Sequence, residues 1–131
     1  MTGAVRVGVD LVRVSDARAA LERFGDRYLR RVFTEAEATE CLSSRPRAPE
    51  RLAARFAAKE AAIKVLRPTA WLDWRLIEVV RAPGGWTEVA LHGDAAALAR
   101  EAGLGQFSVS ISHEGEYATA VVVATTRGEP Q

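Results

Sequence analysis

The segment from Glu50 to Leu66 constrains this chain most, because it has the composition of a helix and almost no polar face. Alanine, leucine, arginine, lysine and glutamate dominate it, Pro49 stands at the expected first turn, and Pro68 lies just beyond the expected end. A helix that is apolar nearly all round is stable only when it is buried. The chain of 131 residues is therefore expected to build one core around this segment.

Three of the charged residues in this segment, Lys59, Glu60 and Lys64, lie close together near its end. The two lysines are the only ones in the chain, and the other sixteen basic residues are arginines, so we expect the lysines to meet a local demand around Glu60. One interpretation is structural, because Glu60 and Lys64 have the i, i+4 spacing of a helical ion pair. The other is functional, because a carboxylate beside lysines in a partly desolvated site suits a divalent metal and a phosphate.

A second carboxylate, Asp10, lies near the end of the predicted first strand. Four apolar residues alternate there with other types, which is the period of a strand buried on one face: Val5, Val7, Val9 and Leu11. Asp10 follows a glycine-valine pair and can point into a crevice. It is interpreted either as a turn cap or as a ligand that shares Mg²⁺ with Glu60, since Mg²⁺ takes few protein carboxylates and completes its shell with water and phosphate oxygens.

Residues 107–113 and 117–123 have the pattern of a hairpin around a glycine-containing turn. Phe107, Val109 and Ile111 are expected on one face of the first strand and three serines on the other. His113 then lies at the tip. An isolated histidine in a turn is either a solvated or capping residue or a phosphate partner, and the periodicity does not choose between them.

The remaining elements predict an α+β fold with a small, largely antiparallel sheet and helices packed on it. A capping box at Thr34 and Glu37 marks one helix start, Gly84-Gly85 marks a second hairpin, and Asp94 is expected to cap a late helix that ends at Gly103. Further helices are expected at 16–24 and 26–32. Residues 1–126 are interpreted as a single domain and 127–131 as a disordered tail.

Composition excludes several classes of function. A net charge of +1 argues against a broad nucleic-acid-binding surface. The chain has no apolar run of membrane-spanning length and no secretory signal, which predicts a cytoplasmic protein that does not bind a membrane. Cys41, the only cysteine, is interpreted as a packing residue. The three tryptophans are expected to be core or interface anchors more often than ligand-stacking residues.

Three motifs in register resemble the holo-acyl-carrier-protein synthase family of 4'-phosphopantetheinyl transferases. They are Gly8-Val9-Asp10-Leu11, then Arg55-Phe56-Ala57-Ala58-Lys59-Glu60-Ala61 with Lys64, then Val109-Ser110-Ile111-Ser112-His113. The resemblance implies transfer of phosphopantetheine from coenzyme A to a serine of an acidic acyl carrier protein, with release of adenosine 3',5'-bisphosphate. It also implies a homotrimer with coenzyme A between neighbouring subunits.

The resemblance supplies roles for individual residues. Asp10 and Glu60 are expected to hold Mg²⁺ across the coenzyme A diphosphate, with Glu60, or a water that it holds, as the general base and Lys64 as the cation that neutralises the departing bisphosphate. The residues expected to bind coenzyme A are Arg55, Lys64, Ser112 and His113.

Charge along the chain suggests where the carrier protein docks. From Arg13 to Arg31 there are six arginines against three acids. Four of them are expected to dock an acidic carrier helix: Arg13, Arg18, Arg23 and Arg27. The alternative is that they are ordinary solvated helix faces.

Two features depart from the family pattern. Asp16 stands where the family commonly has an arginine that touches the carrier protein, and the segment after Lys64 lacks the usual glycine-rich turn, so we expect this loop to take another path. These departures motivate an alternative function, a noncatalytic binding module for the carrier protein or coenzyme A on the same scaffold.

Overall fold

A computed structural model describes residues 3–127 and shows the predicted α+β fold. The strands are β1 (Val5–Arg13), β2 (Ile77–Arg81), β3 (Thr87–Leu91), β4 (Leu104–Glu114) and β5 (Tyr117–Thr126). The helices are α1 (Val14–Phe24), α2 (Asp26–Val32), α3 (Glu35–Cys41), α4 (Ala48–Leu66) and α5 (Gly93–Glu101), with 3-10 turns at Arg45–Arg47 and Trp74–Leu76. The strand order is β1-β5-β4-β3-β2, and every neighbouring pair is antiparallel.

Helix α4 is the buried helix that the sequence predicts, and it packs across β1 and β5. Its alanines at 57, 58, 61 and 62 have no exposed surface. Small side chains let the helix lie close to the sheet, and Gly8 on β1 meets it there. A Cβ at position 8 would lie 2.0 Å from the carbonyl oxygen of Ala61, so only glycine fits this contact.

The buried face of β1 is the opposite of the expected one. Four apolar side chains are 55–64% exposed: Val5, Val7, Val9 and Leu11. The even-numbered residues face α4 instead, where Gly8 is buried and Arg6 donates from Nη1 to the carbonyl oxygen of Val65 at 3.0 Å. Alternation defines two faces without saying which one is covered, and the close approach of α4 needs the face that carries glycine.

Both predicted hairpins are confirmed. β2 and β3 have the predicted bounds, 77–81 and 87–91, around Gly84-Gly85. In β4 the three serines at 108, 110 and 112 are exposed, and Phe107 is buried on the other face. The capping box at Thr34 and Glu37 is also confirmed. The expectation for Asp94 is wrong, because His92 precedes α5 and Asp94 lies within its first turn.

The structure describes only the first residue of the predicted tail, 127–131. Residues 128–131 lie outside the described part of the chain. The backbone N–H of Arg127 donates to the carbonyl oxygen of Gly103 at 2.7 Å. Within residues 3–127, each helix is either too short or too polar to cross a bilayer.

Candidate active site

Asp10 and Glu60 line the same cavity, of about 530 Å³. Asp10 comes from the inner face of β1 and Glu60 from α4, the helix that Gly8 allows to approach. Other residues around the cavity include Arg13, Asp16 and Tyr28. The structure therefore brings together the two carboxylates that the sequence predicts as one site.

Lys64 joins this site through the strand and not through Glu60. Its Nζ donates to the carbonyl oxygen of Val9 at 2.6 Å and lies 3.4 Å from Asp10 Oδ1. The i, i+4 ion pair between Glu60 and Lys64 is not formed, because the Lys64 side chain reaches across to the end of β1. A half-exposed ammonium group is thereby held beside the cavity, where it can meet a phosphate.

The structural partner of Glu60 is Trp74, which the sequence did not single out. Trp74 Nε1 donates to Glu60 Oε1 at 2.7 Å. The two residues are fourteen positions apart, on a helix and on a 3-10 turn, so no periodic signal links them. The three tryptophans lie in different environments: Trp74 is partly buried, whereas Trp71 and Trp86 are 71% and 61% exposed within one chain.

Lys59 does not serve Glu60, although it precedes it in the sequence. It has no exposed surface and pairs with Glu37 Oε1 at 2.7 Å. Burial lowers the pKa of Lys59, and the charge and hydrogen bond of Glu37 only partly oppose this. The expectation that both lysines answer the charge of Glu60 is therefore wrong for Lys59, which belongs to the core.

Arg55 and His113 line a second cavity, of about 550 Å³, on the other side of α4. Its lining also includes Arg47, Arg51 and Arg81. Arg55 is 6% exposed, its Nη2 lies 3.0 Å from Glu40 Oε1, and its buried Nε has no hydrogen-bond partner among residues 3–127. A cavity with four guanidinium groups and an unsatisfied buried donor is suited to an anion.

The two cavities share no lining residue. Within one chain, the structure therefore does not bring His113 to Asp10 and Glu60. Ser112 follows the alternation of β4 and points to the exposed outer face of the sheet, away from the face of His113. A single ligand that uses all the predicted residues of one chain would have to contact both cavities and the outer face of the sheet.

The four arginines proposed for docking lie around the first cavity or on the helices beside it, and all are exposed. Arg13 lines the cavity and places its guanidinium 5.8 Å from the ring centre of Tyr117. Arg27 lines an adjoining cavity of about 370 Å³ with Phe24, Phe56 and other residues. Cationic side chains thus border an apolar depression next to Glu60.

The donor set at the first cavity fits Mg²⁺ better than a metal that needs a full set of protein ligands. Within the described residues, no group of three or more histidine, cysteine, aspartate or glutamate side chains could enclose a metal ion. Asp10 and Glu60 at an open cavity leave room for water and phosphate oxygens, which Mg²⁺ prefers. Zinc sites use three or four protein ligands and are not supported.

Comparison with known proteins agrees with these features. A family model described as the 4'-phosphopantetheinyl transferase superfamily matches residues 6–122. The holo-[acyl-carrier-protein] synthase of Gloeobacter violaceus is 44% identical over 119 residues, 89% of this chain and 89% of the relative, and that of Salinispora arenicola is 45% identical over 120 residues, 92% and 97% of the two chains.

Solved structures show the same relationship. The Chronobacterium ammoniagenes ACPS-CoA complex superposes with a TM-score of 0.84 at 32% identity, covering 95% of this chain and 99% of that one. Helicobacter pylori holo-[acyl-carrier-protein] synthase in complex with coenzyme A gives 0.78 at 26% identity, with 91% and 99% covered. The chain belongs to the holo-[acyl-carrier-protein] synthase family of the 4'-phosphopantetheinyl transferase superfamily.

Proposed function

We propose that this chain transfers 4'-phosphopantetheine from coenzyme A to a serine hydroxyl of an apo acyl carrier protein and releases adenosine 3',5'-bisphosphate. The observation that carries the proposal is the meeting of Asp10 and Glu60 at one cavity with Lys64 beside Asp10, in a chain whose family includes enzymes solved with coenzyme A. Two carboxylates and a cation are what phosphoryl transfer needs at the bond that breaks.

Asp10 and Glu60 would hold Mg²⁺, which when bound neutralises charge on the diphosphate of coenzyme A. Glu60, or a water that it holds, accepts the proton of the attacking serine hydroxyl. Lys64 already places its ammonium group beside Asp10, and there it neutralises the oxygen of the departing bisphosphate. The bond from the serine oxygen to phosphorus forms as the bond from phosphorus to the bisphosphate oxygen breaks.

The second cavity is proposed to take the other phosphate of coenzyme A and its nucleotide portion. Arg55 presents a buried Nε that lacks a partner among the described residues, and His113 lies at the exposed edge of the cavity. Ser112 was expected to contribute to the same ligand, and its place on the outer face of β4 fits that role only if the ligand or a second copy reaches that face.

Separation of the two cavities supports a site shared between copies of the chain, and we propose the homotrimer that the sequence suggested. The outer face of the sheet offers a surface for this assembly, because the apolar side chains of β1 and Val121 of β5 are exposed on it. Covering such a face is favourable at about 25 cal/mol per Å² of apolar surface. Sedimentation with and without coenzyme A measures the assembly, and a fully active monomer would contradict it.

A mixing experiment tests the sharing of the site directly. The variants Glu60→Gln and His113→Ala are each expected to be inactive alone. Coexpressed as a mixed oligomer, they would form some sites with an intact Glu60 from one copy and an intact His113 from another. Recovery of activity supports a shared site, and no recovery in a verified mixed oligomer contradicts it.

The carrier protein is proposed to dock over α1 and α2 through Arg13, Arg18, Arg23 and Arg27. Their exposure beside the first cavity supports this, since an acidic helix laid there would place its serine near Glu60. Salt screens such contacts, so the apparent affinity for the carrier is expected to fall from low to high ionic strength. An affinity independent of salt would contradict docking by these arginines.

The deciding experiment is a mass measurement on an apo carrier protein. Incubation with this protein, coenzyme A and Mg²⁺ is expected to add one phosphopantetheine, and omission of coenzyme A or chelation of the metal is expected to prevent it. Binding of the carrier or of coenzyme A without a mass increase would support the noncatalytic alternative. The cytoplasmic location stays a prediction from the sequence.

A further inference from the structure

We propose that Trp74 is a positioning residue for Glu60, which holds one carboxylate oxygen of Glu60 in place and leaves the other for the ligand of the site. This inference rests on the function proposed above. It follows from the 2.7 Å hydrogen bond between Trp74 Nε1 and Glu60 Oε1. Within residues 3–127, Glu60 Oε2 accepts no hydrogen bond, so it is the oxygen that remains available.

An indole group suits this task for a chemical reason. Trp74 Nε1 is a hydrogen-bond donor only. It can therefore donate to a carboxylate oxygen, but it can neither coordinate a metal ion nor accept a hydrogen bond. A lysine in the same place would bring a full positive charge and oppose a cation at the site. Lys64, four residues further along the helix from Glu60, is held elsewhere by Val9 and Asp10. Trp74 thus fixes Glu60 without competing with a metal for charge.

The indole is itself held from two sides. Its ring centre lies 5.7 Å from that of Phe56 on α4, and 6.3 Å from that of Trp71 in an edge-to-face arrangement. Both contacts have the spacing of favourable aromatic pairs. The side chain of Trp74 is therefore restricted before any ligand arrives.

The backbone of Trp74 is anchored to the buried ion pair. Lys59 Nζ donates to the carbonyl oxygen of Trp74 at 3.1 Å, while the same ammonium group pairs with Glu37. Glu37, Lys59, Trp74 and Glu60 consequently form a continuous series of hydrogen bonds from the core to the site. Neighbours of ligating groups orient them in this way in metal sites generally, and their loss typically weakens metal binding 10- to 100-fold.

The test compares two tryptophan-to-phenylalanine substitutions, of which only one removes the hydrogen-bond donor to Glu60. Trp74→Phe keeps an aromatic ring and removes the N–H donor. Trp71→Phe is the matched control, because it keeps a ring against Trp74 and leaves the donor of Trp74 in place. Mn²⁺ binding is measured by electron paramagnetic resonance, with and without coenzyme A, and carrier modification is measured against Mg²⁺ concentration. Trp74→Phe is expected to weaken Mn²⁺ binding about tenfold or more and to raise the Mg²⁺ requirement similarly, with Trp71→Phe unchanged.

A measurement on the unsubstituted protein keeps the inference testable if Trp74→Phe does not fold. The indole N–H resonances are assigned through Trp71→Phe and Trp86→Phe, and Mg²⁺ is then added with coenzyme A. The Trp74 resonance is expected to shift and that of Trp86 to stay. A Trp74 resonance that does not move at Mg²⁺ concentrations supporting turnover overturns the inference, as does a folded Trp74→Phe that behaves like Trp71→Phe. If the unsubstituted protein neither binds Mn²⁺ nor modifies the carrier, the proposed function fails first and the inference fails with it.

Discussion

Lys59 Nζ lies 2.7 Å from Glu37 Oε1, and neither side chain has exposed surface. All three ammonium donors are used, because Lys59 also donates to the carbonyl oxygens of Trp74 and Ile77 at 3.1 and 2.6 Å. Glu37 in turn accepts from the backbone N–H groups of Thr34 and Val79. A buried ion pair is tolerated only when its hydrogen bonds are satisfied to this degree. The pair ties α3, α4 and the start of β2 together.

Lys59→Met is expected to destabilise the fold strongly, because it leaves Glu37 buried without its cation. Removal of one partner of a buried pair costs about 3–5 kcal/mol. Urea denaturation at neutral pH measures the loss. The control is Arg30→Met, which breaks the exposed pair with Asp26 at 3.8 Å and is expected to change stability by less than about 0.5 kcal/mol. Equal losses in the two variants would show that the Lys59 pair is not desolvated in solution.

Gly8→Ala tests the close approach of α4 to β1. The new Cβ would lie 2.0 Å from the carbonyl oxygen of Ala61, so helix and strand must separate. We expect a loss of about 1–3 kcal/mol or more, with reduced transfer activity because Asp10 and Glu60 move apart. Gly105→Ala on β4 is the matched control, since its Cβ would meet no atom closer than 3.5 Å. Thermal unfolding and carrier modification are measured on both, and an unchanged Gly8→Ala would contradict the packing.

The difference between what the sequence predicts and what it cannot predict follows from the range of the interactions. Local signals placed α4, the capping box at Thr34 and both hairpins, because each depends on residues close in the chain. The covered face of β1 depends on α4, where Val65 lies 59 positions from its partner Arg6, and alternation is the same for either face.

The same distinction separates the features of the site that the sequence predicted from those that it missed. The residues alone left open whether Asp10 caps a turn or shares a site with Glu60, and the resemblance to the synthase family implied the shared site. The partners of Lys59 and Glu60 were missed, since Glu37 and Trp74 lie twenty-two and fourteen positions away with no periodic relation to them. Adjacent residues on a buried helix point in different directions, so Lys59 enters the core while Glu60 faces the cavity.

Glu60→Gln is expected to abolish phosphopantetheine transfer and to leave the fold intact. The amide oxygen can still accept the hydrogen bond of Trp74, but the group can neither take the serine proton nor contribute a negative charge. Circular dichroism and thermal unfolding check the fold, and carrier mass reports activity. The control is Glu101→Gln, at the exposed end of α5, which lines neither cavity. Near-normal turnover of Glu60→Gln at saturating Mg²⁺ would remove Glu60 from the reaction.

Glu40 is expected to make stability depend on pH on the acid side. Burial raises the pKa of Glu40, but Arg55 and Arg81 outweigh it and bring the pKa below the ordinary value of 4.5. The unfolded chain therefore binds this proton more readily than the folded chain as pH falls below about 4.5, so the stabilising contribution is complete above that pH and is lost as pH falls through the lower, folded value.

Glu40→Gln removes the titrating group, so its stability is expected to change less between about pH 6 and pH 3.5 than that of the unsubstituted protein. Urea denaturation at several pH values within that range measures the change. Glu35→Gln, on the same helix and exposed, is the control and is expected to follow the unsubstituted protein. Parallel curves for Glu40→Gln and the unsubstituted protein would mean that Arg55 and Arg81 do not hold Glu40 in its charged form.

Because Arg55 also lines the cavity proposed for coenzyme A, loss of its Glu40 partner is expected to change the KM for coenzyme A as well, which the same variant measures at neutral pH.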